Sequence, residues 1–278
     1  MSAKGILVLG KGFIGRRIQE FLGCAIAEQR IHSYKDVELI LKKYKPTVII
    51  NATGFTGFKN VDGCEEDIDK TIVSNTFVPL LLGEAAYRHG FKLVHISSGC
   101  IYHFDYGQAA LTENKSPDYY DLYYSRTKIY AEEALTALAE RCNILTLRIR
   151  VPLDDRPHPK NILTKLLSFD AVIDIANSVT YIPDFLQALK HLIKIDARGI
   201  YNVVLKGGLR YPQLLKEFQR QRPDFKFKTM ALKNLGLKRT NLILSIRKLE
   251  QTGFQVRTPA AIYKECVLRY LNDANKRK

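Results

Sequence analysis

Tyr124 and Lys128, in the segment YYSRTK, are the pair in this sequence best suited to moving a proton. On a helix a spacing of four places both side chains on one face. An ammonium beside a phenol favours the phenolate and brings down a pKa that is ordinarily about 10. Such a phenol can hand its proton to a carbonyl oxygen as hydride reaches the carbon. The plainer reading of YxxxK is two solvated residues on a helix surface. A second stretch, HISSGCIYHFD (95–105), ends the apolar run of Phe91, Leu93, Val94 and Ile96 in two hydroxyls, Ser97 and Ser98, followed by Gly99 and the thiol of Cys100. A third, GKGFIG, sets Gly10, Gly12 and Gly15 in a GxGxxG pattern. Glycines there let a backbone approach a pyrophosphate, which sits on the N–H groups opening the next helix. The plainer reading is a tight turn.

A reader of NAD carries an acidic residue about 20 positions after that motif, bonded to the ribose 2′-hydroxyl. Here the second strand ends in Ala27, Glu28, Gln29 and Arg30. Arg30, with Lys11 and Arg16 in the turn, suits the extra phosphate of NADPH, whereas Glu28 suits NADH. NADPH is the favoured cofactor and NADH stays open.

These groups need a scaffold, and the chain supplies alternating strand and helix patterns. Apolar runs at 6–10, 24–29, 46–51, 91–96 and 143–149 read as strands. Helical patterns fill 13–22, 35–44, about 64–89 and 123–141. Strands without polar alternation are buried on both faces, which means a parallel sheet wrapped by helices. The expected fold is α/β, a Rossmann-like doubly wound parallel sheet with a small C-terminal substrate-binding domain. Residues 1–150 form the nucleotide-binding part, with a returning segment near 176–206 that includes a strand at 199–204. Residues 151–175 and 207–278 form the smaller part, mostly helical after 207. GxGxxG lies between the first strand and helix, Ser98 at the end of the fourth strand, and YxxxK on the helix that follows.

Composition bounds the rest. At 278 residues, 46% hydrophobic and 10% aromatic, the chain can bury a large core and is not disordered. The five cysteines, Cys24, Cys64, Cys100, Cys142 and Cys266, are scattered without a CxxC pair, which excludes a disulfide framework and a zinc signature. No apolar run reaches the roughly 18 residues of a membrane span. MSAKGILVLG enters a strand at once, so no signal peptide is expected and the location is cytoplasmic. Forty-three Lys and Arg against 28 Asp and Glu leave a charge of +15. Without a nucleic-acid motif that excess points to anionic small ligands, and neither nucleic acid nor membrane is an expected partner.

GxGxxG after the first strand, a serine closing a later strand and YxxxK on the next helix together resemble the extended branch of the short-chain dehydrogenase/reductase superfamily. That resemblance implies a catalytic set of Ser98, which holds the substrate carbonyl, Tyr124, which gives the proton, and Lys128, which holds the cofactor ribose. It also matches Asn75 in VSNTFVP to the superfamily's helix asparagine. Within the branch, RTNLILSIRKL (239–249) and INATG (50–54) are similar to dTDP-4-dehydrorhamnose reductases. NATGFTGFKNVDGCE (51–65), SSGCIYHFD (97–105), LRIRVP (147–152), PKNILTK (159–165) and VIDIANSVT (172–180) resemble the plant-type bifunctional enzymes that epimerise and reduce UDP-4-keto-6-deoxyglucose.

The resemblance implies that Cys100 and Lys165 are the acid/base pair of 3,5-epimerisation. A C4 ketone acidifies the hydrogens on C3 and C5, and inversion needs one group to take a proton and another to return one. A thiol of pKa about 8.5 can do this near neutrality. The cofactor would meet Gly10, Lys11, Gly12, Phe13, Ile14, Gly15, Arg30, Asn51, Ala52, Thr53, Asn75, Tyr124 and Lys128. The substrate, a UDP- or dTDP-linked 4-keto-6-deoxyhexose, would meet Thr56, Asp62, Ser98, Gly99, Cys100, Arg150, Lys160, Asn161, Arg239 and Asn241. The expected activity is rhamnose-type 4-keto reduction together with 3,5-epimerisation. Reduction alone and a non-catalytic regulatory subunit are the rivals. The base, the final sugar and the oligomeric state, a homodimer included, stay open.

Overall fold

The computed structural model describes residues 4–58, 60–234 and 241–276. By contacts the chain divides into two compact units. The first comprises Met1–Ile101, Pro117–Arg148 and Leu189–Tyr201; the second comprises Tyr102–Ser116, Ile149–Ala188 and Asn202–Lys278.

The first unit is built on a sheet of strands β1 (Ile6–Leu9), β2 (Ala25–Ala27), β3 (Val48–Asn51), β4 (Lys92–Ser98), β5 (Ile144–Ile149) and β6 (Gly199–Asn202), in the order β2-β1-β3-β4-β5-β6. β1 pairs in parallel with β2 and β3, and β3 with β4, opposite residues including Leu9 with Asn51 and Asn51 with His95. The order turns back at β1, so the carboxyl ends of β1 and β3 flank a topological switch point, where doubly wound sheets bind their ligands. All seven residues of β4 are buried, as a strand covered on both faces must be.

Helix α1 (Phe13–Leu22) follows β1 and α2 (Tyr34–Tyr44) follows β2. A capping box starts α2, Ser33 accepting from the Asp36 N–H while Asp36 reaches back. Leu7, Leu9, Ile49 and Leu93 of the strands pack with Val37 and Ile40 of α2. Burying a side chain of this size contributes about 1.5–3 kcal/mol.

The helical pattern expected across 64–89 is broken in the fold. Gly63–Glu66 ends at Asp67, whose carboxylate caps Ile68–Ile72 by accepting from the Lys70 N–H. One π turn, Val73–Phe77, then leads into α3 (Val78–His89). Hydrophobic periodicity does not register a π turn, because it shifts the helix by a single residue. Helix α4 (Tyr123–Ala139) carries the YxxxK pair.

The second unit has its own core, in which Leu153, Leu163, Val172 and Tyr181 meet Leu214 and Phe218 of a helix at Tyr211–Gln221 and Ile262 and Val267 of one at Pro259–Lys276. Two short parallel pairs join Pro152–Leu153 to Thr180–Tyr181 and Ala171–Ile173 to Lys228–Met230. The Lys228–Met230 strand lies in the stretch expected to be mostly helical. Two of its residues are exposed, so it lacks the apolar run that marks a buried strand. Tyr102–Ser116 and residues 176–188 fall in this unit rather than with the sheet. Among the described residues no helix is long and apolar enough to cross a membrane.

Candidate active site

The glycine turn is specified by its own packing at two of its three glycines. Gly10 has φ +98°, and a Cβ there would lie 2.6 Å from the Ala52 carbonyl oxygen. A Cβ on Gly15 would lie 1.8 Å from the Gly10 oxygen. A Cβ on Gly12 would meet nothing within 4 Å. Gly12 is also the N-cap of α1, with no side chain capping it. Phe13 and Ile14, which open α1, stand beside the open side of Gly12 at the positive end of a ten-residue helix. That cradle fits a pyrophosphate. Gly15→Ala is expected to cost at least about 1–3 kcal/mol, the toll of overpacking, seen as a lower melting temperature. Gly12→Ala, at an N-cap with open space around its Cβ, should lower the melting temperature less than Gly15→Ala yet bind NADPH less tightly in a fluorescence titration. A normal melt for Gly15→Ala would refute this division of labour.

Asn51, at the end of β3, shapes the segment beside the turn. Its Oδ1 accepts from the Thr53 N–H at 3.1 Å, and its Nδ2 donates to His95 Nδ1 at 3.2 Å. The Ala52 N–H donates to the Leu9 carbonyl at 2.9 Å, binding this segment to β1. His95 is wholly buried, and burial, aided by the charge on Lys128, holds its pKa well below the usual histidine value. At the end of β2, Glu28 forms an ion pair with Lys11, whose ammonium holds the carboxyl below its ordinary range. Arg16 Nε donates to the Lys11 carbonyl at 3.0 Å, and Arg30 is exposed two residues beyond Glu28.

The π turn explains Asn75. From it the buried amide reaches the loop after β3, its Oδ1 accepting from the Phe55 N–H at 2.7 Å and its Nδ2 donating to the Phe55 carbonyl at 3.0 Å. The same Nδ2 donates to Thr127 Oγ1 at 3.2 Å, fastening that loop to α4. A Cβ added at Gly54 would stand 3.3 Å from Asn75 Oδ1 and 3.6 Å from Lys128 Nζ.

Tyr124 and Lys128 are both buried, which removes the solvated-surface reading of YxxxK. Lys128 Nζ donates to the Ile96 carbonyl at 3.3 Å. Burial draws its pKa down to about 8, opposed first by Glu132 and then by Cys64. Ser98 closes β4, buried, and its Oγ accepts from the Cys100 N–H at 3.1 Å. Ser125, next to Tyr124, donates through Oγ to the Cys100 carbonyl at 2.6 Å. The Ser98–Gly99–Cys100 turn is thus tied to both β4 and α4, with the thiol half-buried. Of the other cysteines, Cys24, Cys64 and Cys266 are buried, whereas Cys142 is half-buried.

Asp62 stands at the N-cap of Gly63–Glu66 without a side-chain capping bond, and Thr56 lies half-buried in the loop before it. In the second unit, buried Arg150 donates through Nε to Asn177 Oδ1 at 3.1 Å, and Asn177 Nδ2 donates to Asn241 Oδ1 at 3.1 Å. Val151, next in the chain, has φ +39°, a conformation a β-branched residue adopts under strain. Asn161 is fully buried and accepts from the Asp154 and Leu163 N–H groups while donating to the carbonyls of Asp154 and Arg156. Its amide is committed to shaping the 154–163 loop. Lys160 and Lys165 are half-exposed, Lys165 on the short helix Ile162–Leu166. Arg239 lies outside the described residues.

Sequence reasoning missed Ser125, Asn177 and the buried ion pair of Glu132 with Arg148. One signal was available for Glu132: it falls four residues after Lys128, on the face the YxxxK pair already occupies.

Residues 10–174 match the family model described as RmlD substrate binding domain. The chain is 28% identical over 293 residues to the bifunctional dTDP-4-dehydrorhamnose 3,5-epimerase/dTDP-4-dehydrorhamnose reductase of Arabidopsis thaliana, an alignment covering 99% of this chain and 95% of that protein. Among solved structures, the UDP-rhamnose synthase from Acanthamoeba polyphaga mimivirus matches with a TM-score of 0.86 at 22% identity, covering 95% of this chain and 99% of that one. A dTDP-4-dehydrorhamnose reductase from Bacillus anthracis in complex with NADP matches with a TM-score of 0.80 at 19% identity, covering 96% and 98%. These two likenesses establish a shared fold.

Proposed function

The chain belongs to the RmlD substrate binding domain family, and from that membership we propose that it is an NADPH-dependent 4-keto reductase of a nucleotide-linked 4-keto-6-deoxyhexose that also epimerises C3 and C5. The observation that carries the reading is the buried Lys128, its Nζ on the Ile96 carbonyl, four residues from a buried tyrosine. An ionisable group in such a place is costly to bury, so its presence argues for work done there.

NADPH, when bound, supplies the hydride. The glycine turn and the amides of α1 hold its pyrophosphate, with Asn51, Ala52, Thr53 and Asn75 shaping the wall alongside. Ser98 holds the C4 carbonyl by hydrogen bonding, and Tyr124 donates its proton to the oxygen as negative charge develops there. Lys128 keeps a positive charge beside the resulting phenolate. Cys100 and Lys165 exchange protons at C3 and C5. Residues 1–150, with the returning segment, serve the cofactor. Arg150, Lys160, Arg239 and Asn241, from the remainder, serve the sugar nucleotide. The relatives' names support this chemistry, since they pair epimerase with reductase and name both dTDP and UDP sugars.

The test is NADPH oxidation with UDP- and dTDP-4-keto-6-deoxyglucose and no added epimerase. Turnover with at least one is expected. Silence with both sugars and both reduced nicotinamide cofactors would leave a regulatory or structural protein of this fold. The exposed Arg30 reads the 2′-phosphate, so Arg30→Ala should weaken NADPH by about tenfold or more, a charge-assisted hydrogen bond's worth, and leave NADH nearly unchanged. Equal losses for the two cofactors would remove Arg30 from that role.

A further inference from the structure

Three buried ionisable side chains, Tyr124, Lys128 and Glu132, succeed one another on α4 at intervals of four and share one face. Glu132 is 2% exposed and held from two strands. Arg148 on β5 donates through Nε to both carboxylate oxygens, at 3.0 and 3.1 Å, and through a terminal nitrogen to Oε1. Ser97 on β4, the neighbour of Ser98, donates to Oε2 at 2.9 Å. Burying such an ion pair gains little stability over well-packed apolar residues, because desolvation offsets the attraction. A stability role therefore does not account for it.

Its position does. The groups that bear on Lys128 are Cys64 from Gly63–Glu66, His95 and the Ile96 carbonyl from β4, and Glu132 from α4 itself; Arg148 on β5 stands behind Glu132. Glu132 ranks first among those opposing the effect of burial on the ammonium. We propose that Glu132, fixed by Arg148 and Ser97, is a positioning residue that keeps the Lys128 ammonium charged inside the protein, and so keeps a cation beside the Tyr124 phenol. The catalytic part of this rests on the reductase reading of Tyr124 and Lys128; the charge-holding part does not.

Glu132→Gln alone strands a buried guanidinium, so the test pairs it with Arg148→Met, which removes both charges and keeps their bulk. In the full-length chain without substrate, the Lys128 Nζ titration is followed by lysine nitrogen NMR, assigned by its absence in Lys128→Met. The double variant should titrate below wild type, because the carboxylate lies on the Lys128 face of α4 while the guanidinium reaches it from β5, so the nearer charge is the one whose loss is felt. Glu132→Asp keeps the charge but withdraws it by one methylene, and should titrate between the two. The alkaline limb of kcat/KM for keto reduction should move down in the same order. Midpoints equal to wild type in the folded variants would overturn the proposal and leave the ion pair a packing device. A shifted midpoint in a protein that reduces no keto sugar would uphold Glu132's hold on Lys128 while removing the reductase reading.

Discussion

Tyr124→Phe is expected to lower 4-keto reduction by about 10² to 10⁴-fold, the usual worth of a positioned general acid, while NADPH binding stays close to wild type. The variant removes one hydroxyl and keeps the ring that packs in α4, so the fold should be unaffected. The loss falls on the transition state, since the oxygen at C4 gains charge as hydride arrives and finds no proton. Lys128 should not rescue the reaction. Its Nζ is bound to the Ile96 carbonyl at 3.3 Å, within the protein, and not presented as a replacement acid. Steady-state NADPH oxidation and a fluorescence titration of NADPH separate the two effects. Turnover within a fewfold of wild type would remove Tyr124 as the proton donor.

What made this site legible in sequence was the coincidence of chemical residues with element ends. β1, β3, β4 and β5 are apolar runs because both faces of the sheet are covered, so their ends could be read, and with them Gly10, Asn51 and Ser98. The hidden features are those whose partners lie far along the chain. Asn75 does its work through a π turn and bonds to Phe55, 20 residues away, and nothing in the local pattern announces either. Glu132 looks like part of a solvated AEEAL helix until Arg148, 16 residues on, closes over it. Asn161 makes its hydrogen bonds to Asp154, Arg156 and Leu163 of its own loop, and which of its neighbours it holds is likewise set by the folded loop and not by the local pattern. Residue type and spacing suggest which groups can act together; burial and partners, set by long-range packing, determine which of them do.

Cys100→Ala is expected to abolish solvent deuterium entry at C3 or C5 of a 4-keto-6-deoxyglucose nucleotide, a loss of about 10²-fold or more if the thiol is the proton carrier. The turn that carries it should survive, because what holds it is backbone. The Cys100 N–H bonds Ser98 Oγ at 3.1 Å, and its carbonyl accepts from Ser125 Oγ at 2.6 Å, and alanine keeps both groups. The half-buried thiol also leaves only a small void, so a structural collapse is not the expected cause of any loss. Reduction of a substrate already epimerised should persist, since Ser98, Tyr124 and Lys128 are untouched. That split, exchange lost and reduction kept, is the signature that distinguishes an acid/base cysteine from a packing one. Lys165→Ala should give a related defect at one of the two carbons, because inversion needs a donor and an acceptor on opposite faces of the sugar. Proton NMR in D₂O reads both variants with no cofactor turnover. Exchange at the wild-type rate in Cys100→Ala would make the enzyme a 4-reductase that depends on a separate epimerase, with the thiol filling space beside Ser98.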